Sequence, residues 1–136
     1  MTIQEVAEQT GISPYTIRFY EKTGVLPHIK RLSNGVRQFT EADVAFLRFL
    51  MQLKQTGMSL EDIMEFTEDG CMLERLQRGD PIPQFVVEKR LTILRRHQKS
   101  LYDQRHNLDS LLMAVEQKLN FYEQRQQQPA NAETGV

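Results

Sequence analysis

From Gln84 to Gln124 the chain contains neither glycine nor proline. Nothing in that stretch breaks an α-helix, and at ~1.5 Å per residue it would run roughly 60 Å, about twice the width of a small domain. Every seventh residue from Val87 is apolar or aromatic (Leu94, Leu101, Leu108, Val115, Tyr122), and a companion series runs Leu91, Gln98, Arg105, Leu112, Leu119. One seam is unbroken and the other is polar only in its middle, a coiled-coil pattern. With no second long helix in the chain, the expected partner is another copy, through Leu91, Leu94, Leu101, Leu108, Leu112, Val115 and Leu119; the alternative is a helix folded back on its own head.

The rest of the 136 residues must supply a small body. Its helix starts share one grammar. Thr2, Thr40 and Ser59 each precede an acid by three residues, and Ser13 precedes Pro14, which sits where its missing N–H costs nothing. Gly11, Gly24, Gly57 and Gly70 mark the stops. Helices are predicted at about 3–9, 14–22, 41–55 and 60–68, with a short one at 72–78. The first two are separated only by Thr10 to Ser13, a helix-turn-helix spacing. Between the second and third, Asn34-Gly35 lies amid IKRLSNGVRQF and predicts a β-hairpin. The expected fold is mainly α: a winged helix-turn-helix head over 1–80 with a small β-hairpin wing, a dimerisation helix over 81–124, and a disordered Gln-rich tail over 125–136.

Net charge is only −1, but the charge is segregated. Residues 14–39 carry Arg18, Lys22, Lys30, Arg31 and Arg37 against Glu21 alone, whereas 59–83 carry seven acids against two arginines. A local basic surface of this kind suits a polyanion. At ~100° per residue, Ile17 and Tyr20 fall on one side of the second helix, where Ile17 packs with Ile3, Val6 and Ile12, and Tyr20 buries its ring with the hydroxyl at the rim. Tyr15, Arg18, Phe19 and Lys22 fall on the other. That face offers a donor for guanine edges, a charge for phosphate and flat surface for thymine methyls and sugars. The hairpin adds Lys30, Arg31 and Arg37 around a tip whose backbone N–H groups would approach phosphate.

No phosphate loop, HExxH or GxSxG motif occurs, and the three histidines are scattered, so no enzyme reading or cofactor is supported. Cys71 is the lone cysteine, which excludes an intrachain disulfide and a multi-cysteine metal site, and no metal is expected. A leader-like N-terminus and a bilayer-length apolar run are both missing, so a cytoplasmic, nucleoid-associated protein without membrane contact is expected.

Ile17-Arg18-Phe19-Tyr20-Glu21 with Gly24-Val25-Leu26, then Asn34-Gly35-Val36-Arg37-Gln38-Phe39, then Gly57-Met58-Ser59-Leu60-Glu61-Asp62-Ile63 resembles the MerR family of bacterial transcriptional regulators. The resemblance runs from about residue 2 to 66, and the long helix extends it to about 123. It implies a homodimer joined by an antiparallel coiled coil, with a second wing from the helix pair after the hairpin. Arg18 would enter the major groove, Tyr15, Thr16 and Tyr20 would contact bases or backbone, and Phe19 would press on the backbone. Arg37 and the Asn34-Gly35 tip would hold phosphates, with Lys54 as the second-wing contact. The family binds near-palindromic promoters with over-long spacers; effector binding kinks and untwists the DNA so that RNA polymerase engages.

This chain departs from the family's metal sensors, which carry cysteines at both ends of the long helix; here there is none. The aldehyde-responsive members' cysteine position before Gly57 is Gln52, and residues 124–136 are too few for an appended drug-binding domain. Three origins for the signal stay open: a small molecule near 64–83, where Met58, Met64, Phe66 and Met72 would line a pocket or pack the junction, a reactive species at Cys71, or none. Two other functional classes stay open as well: a coiled-coil adaptor that uses its head for protein contacts, and an architectural winged helix without spacing dependence.

Overall fold

A computed structural model of the chain describes residues 1–26, 29–70 and 72–127. Among the described residues six helices are formed: α1 (Ile3–Thr10), α2 (Pro14–Lys22), α3 (Glu41–Gln55), α4 (Leu60–Thr67), α5 (Met72–Arg78) and α6 (Gln84–Gln126). Each expected N-cap is in place. Thr2 accepts from the Glu5 N–H, Ser13 from Thr16, Thr40 from Asp43 and Ser59 from Asp62. At Thr40 the box closes both ways, with the Thr40 N–H donating to Asp43 Oδ2 at 2.8 Å. Gly11 ends α1 at φ 75°, and its N–H donates to the Ala7 carbonyl. A residue with a Cβ resists that left-handed geometry, which is why the stop was legible.

The chain divides into two units, Met1–Arg95 and Arg96–Val136. In the first, Val6, Ile12, Ile17, Tyr20, Val25, Leu26, Ile29 and Phe39 join Val44, Leu47, Leu50 and Leu53 of α3, Met58, Ile63 and Phe66 around α4, and Ile93 of α6 in one core. Ile17, Leu47, Leu50 and Ile63 are wholly buried, each stabilising the fold by about 1.5–3 kcal/mol relative to exposure. Ile3 packs at the edge of this core. Met58 and Phe66 belong to it, whereas Met64 is exposed, so the expected methionine-lined pocket is not assembled by these three. Met72 lies in α5, and Cys71 lies outside the described residues.

The second unit, as described, is the remainder of α6. Leu101, Leu108, Leu111, Leu112, Met113, Val115 and Leu119 all stand exposed. Helix α6 continues to Gln126, so the first two residues of the expected tail are helical; residues 128–136 lie outside the described residues.

The wing departs from expectation. No strand forms among the described residues, and a single antiparallel bridge, Arg31 opposite Arg37, is all the ladder there is. The Gln38 N–H donates to the Lys30 carbonyl at 2.8 Å, the Leu32 N–H to Val36 at 2.8 Å and the Gly35 N–H to Leu32 at 2.9 Å. Gly35 takes φ 84° while Asn34 keeps a negative φ. The connection is thus a three-residue loop, Ser33 to Gly35, with glycine in the left-handed position, rather than a two-residue Asn-Gly turn.

Candidate nucleic-acid interface

Helix α2 sorts its side chains by phase. Ser13 caps it and Pro14 starts it, and Ile17 and Tyr20 turn into the core. Tyr15 is 78% exposed and Phe19 38%, and Arg18 and Lys22 are also exposed. This outward face carries two cations and two rings, with polar and flat apolar surface side by side. Thr16 is half-buried, its hydroxyl 2.9 Å from that of Ser13, so it serves the cap before any ligand.

Tyr20 differs from the expectation that its hydroxyl stays at the rim. At 3% exposure the whole residue is buried, with the Phe19 ring 6.2 Å away, and almost none of its surface faces outward. Its carbonyl receives the Leu26 N–H at 3.1 Å.

The wing is tied to α2 by a residue that sequence reasoning passed over. Glu21 receives Arg37 Nε on both carboxylate oxygens, at 3.1 and 2.9 Å, and Arg31 Nη2 on Oε1 at 3.3 Å. Arg31 Nη1 also donates to the Gly35 carbonyl at 2.9 Å. Two of the three wing cations are therefore engaged within the fold, whereas the side chain of Lys30 is exposed. The tip's backbone is engaged as well, because the Gly35 N–H serves Leu32 and the Val36 N–H serves Asn34 Oδ1 at 3.1 Å. Those two donors do not project to a phosphate as the sequence had suggested. A sequence signal for Glu21 existed: it is the lone acid in the basic 14–39 segment.

Lys54 is exposed in the last turn of α3, beside the Gly57 turn. Behind the second helix pair, Lys89 Nζ bridges Glu68 Oε1 and Asp69 Oδ2, Arg90 Nη2 donates to the Gly70 carbonyl at 2.9 Å, and the Arg90 guanidinium lies 4.9 Å over the Phe66 ring. An open cleft of about 310 Å³ sits between α1 and α3, lined by Met1, Gln9, Glu41, Val44, Ala45 and Arg48, away from the 64–83 segment proposed for an effector. Among the described residues no cluster of three or more histidine, cysteine or acidic side chains is placed to hold a metal, and no helix is long and apolar enough to cross a membrane.

Residues 1–69 match the family described as MerR HTH family regulatory protein. The chain is 42% identical over 123 residues to an uncharacterized HTH-type transcriptional regulator, YyaN, of Bacillus subtilis, with 89% of each chain covered. It is 40% identical over 122 residues to an uncharacterized HTH-type transcriptional regulator of Haemophilus influenzae, covering 90% of this chain and 83% of that one. Among solved structures, HiNmlR, a MerR family regulator lacking the sensor domain and bound to promoter DNA, superposes with a TM-score of 0.70 at 37% identity, with 90% of each chain covered.

Proposed function

The chain belongs to the MerR family of helix-turn-helix regulatory proteins, and on that premise we propose that it is a transcriptional regulator that binds promoter DNA as a homodimer. The observation that carries the reading is the outward face of α2, where Tyr15, Arg18, Phe19 and Lys22 stand exposed on a helix whose opposite side is locked into the core. Arg18 reads a base edge in the major groove, Tyr15 and Phe19 lie against sugars and methyls, and Lys22 and Lys30 neutralise phosphates. Thr16 supports the cap, Arg31 and Arg37 hold the wing, Asn34 and Gly35 form its tip, and Lys54 meets phosphate from the second helix pair. A family neighbour captured on promoter DNA supports the same use of the fold.

Dimerisation follows from the exposed apolar seam of α6, paired antiparallel with a second copy. A near-palindromic operator then mirrors the two-fold axis, each protomer reading one half-site. Activation proceeds by bending and untwisting an over-long spacer so that RNA polymerase engages both promoter elements, an energetic cost of several kcal/mol met by protein–DNA contacts. An effector shifts the balance between straight and bent DNA only if it binds the two dimer states unequally. Its candidate routes are a small molecule near 64–83 and chemistry at Cys71.

Footprinting of the DNA upstream of the chain's own and neighbouring genes, at several salt concentrations, joined to transcription assays on a spacer-length series, tests the reading. A two-fold symmetric footprint and spacer-dependent output are expected. Symmetric binding without spacer dependence would leave an architectural protein, and no salt-dependent DNA binding would leave an adaptor.

A further inference from the structure

We propose that Glu21 is a positioning residue for DNA binding: its carboxylate fixes the wing to the recognition helix, and the DNA-binding surface loses affinity when that negative charge is removed. The inference rests on the reading that this face meets DNA.

The wing cannot hold its own shape. Its ladder is the single bridge between Arg31 and Arg37, and a two-stranded hairpin is marginal in water even when longer. Packing anchors only its base, because Ile29 and Phe39 are buried while Leu32 and Val36 are exposed. The one bridge also sets two arginines directly opposite one another, an arrangement that repels. Glu21, from the last turn of α2, answers both problems. It accepts from Arg37 Nε with both oxygens and from Arg31 Nη2 with one, while Arg31 Nη1 grips the Gly35 carbonyl at the far side of the loop. Glu21 and Arg37 are partly sheltered, with side chains 21% and 24% exposed. Helix, both arms of the wing and the loop thereby share one charge network, with Lys22 next along α2 and Lys30 next along the wing.

Simple electrostatics predicts the opposite sign. A carboxylate among cations facing a polyanion weakens binding, so neutralising it should tighten the complex and, by freeing two arginines for phosphate, steepen its salt dependence. The sign of the Glu21→Gln effect separates the two accounts.

The test uses the full chain and the duplex that the wild type footprints, with Kd measured across a salt series. Amide exchange at Leu32 and Gln38, which donate from one arm of the wing to the other, is followed without DNA. Positioning predicts that Glu21→Gln raises Kd at least threefold without steepening the salt slope, and that Leu32 and Gln38 exchange at least tenfold faster while α3 amides are unchanged. Arg37→Lys keeps the charge but loses the Nε contact, and it is expected to weaken binding to a similar degree. The double variant is expected to be no worse than the poorer single one. Tighter binding, a steeper slope, or unchanged wing exchange in Glu21→Gln would overturn the proposal. Were the wild type to bind no DNA, the reading of the face would fall, and the exchange measurement would still decide whether Glu21 holds the wing. If Glu21→Gln did not fold, Arg37→Lys carries the same two readouts.

Discussion

The Arg90 guanidinium lies 4.9 Å over the ring of Phe66, so the second turn of α6 stacks on the last turn of α4. Its neighbour Lys89 completes the grip on Glu68 and Asp69. The first turns of α6 are therefore held to the second helix pair by a charged clamp, with Ile93 of the same helix in the core.

Lys89→Met is expected to lower the thermal midpoint by a few degrees, because it leaves two carboxylates facing each other. The hydrogen bond to Asp69, then that to Glu68, hold the Lys89 ammonium above the ordinary lysine range, outweighing desolvation. A raised folded-state value means that the stabilisation is fully present below the unfolded lysine value of about 10.4 and is lost as pH rises through the folded one. The wild-type advantage over Lys89→Met should thus be flat from pH 7 to 9 and shrink above about pH 10. Melts of both proteins across that range check it; an advantage that shrinks below pH 9 would point to a different group.

Arg18→Ala removes an exposed side chain, so stability should stay within about 0.5 kcal/mol of wild type. Specific binding should weaken by about 1–3 kcal/mol per half-site, roughly 5- to 150-fold for each, with relaxed preference at one operator position per half-site. Lys22→Ala should instead weaken binding to all duplexes alike and reduce the salt slope by about one per protomer. Titrations against operator and scrambled duplexes at several salt concentrations distinguish the two, and an unaffected specificity ratio for Arg18→Ala would remove it from the reading position.

Leu108 lies at the middle of the uninterrupted seam and is 61% exposed in the single chain. In the proposed dimer both copies bury it, at about 1.5–3 kcal/mol each, so Leu108→Glu should raise the dimer dissociation constant at least a hundredfold. Sedimentation equilibrium is the measurement. The head's core does not include Leu108, so its secondary structure should persist, and a variant that remains dimeric would place the interface elsewhere.

What the sequence made legible was local. Caps at Thr2, Ser13, Thr40 and Ser59 and the stop at Gly11 depend on nearest-neighbour geometry, and helix phase alone separated Ile17 from Arg18. The misses depended on contacts across the chain. Tyr20 is buried with Leu26 and Ile29 in one core, a packing that helical phase does not reveal. Asn34-Gly35 signals a hairpin without fixing its loop length, and the Leu32–Val36 and Gly35–Leu32 bonds enclose three residues in the loop. The bonds of Arg31 and Arg37 to Glu21, 10 and 16 residues away, were not legible either, because a charge pattern shows cations without showing their partners.

Gly35 offers a test of the wing that leaves every charge in place. Its φ of 84° is the left-handed conformation, and a Cβ built there meets nothing within 4 Å. Substitutions at this position therefore act through backbone strain alone, about 1–2 kcal/mol for an ordinary L residue and least for asparagine. Affinity for the footprinted duplex should fall in the order glycine, asparagine, alanine, valine, since a β-branched side chain tolerates the left-handed region least. Thermal stability should follow more weakly, because the loop lies outside the buried core. Alanine and valine variants that bound as tightly as wild type would mean that the tip conformation is irrelevant to DNA binding. An equal loss for asparagine and valine would point to a steric cause that the open space around Gly35 does not contain.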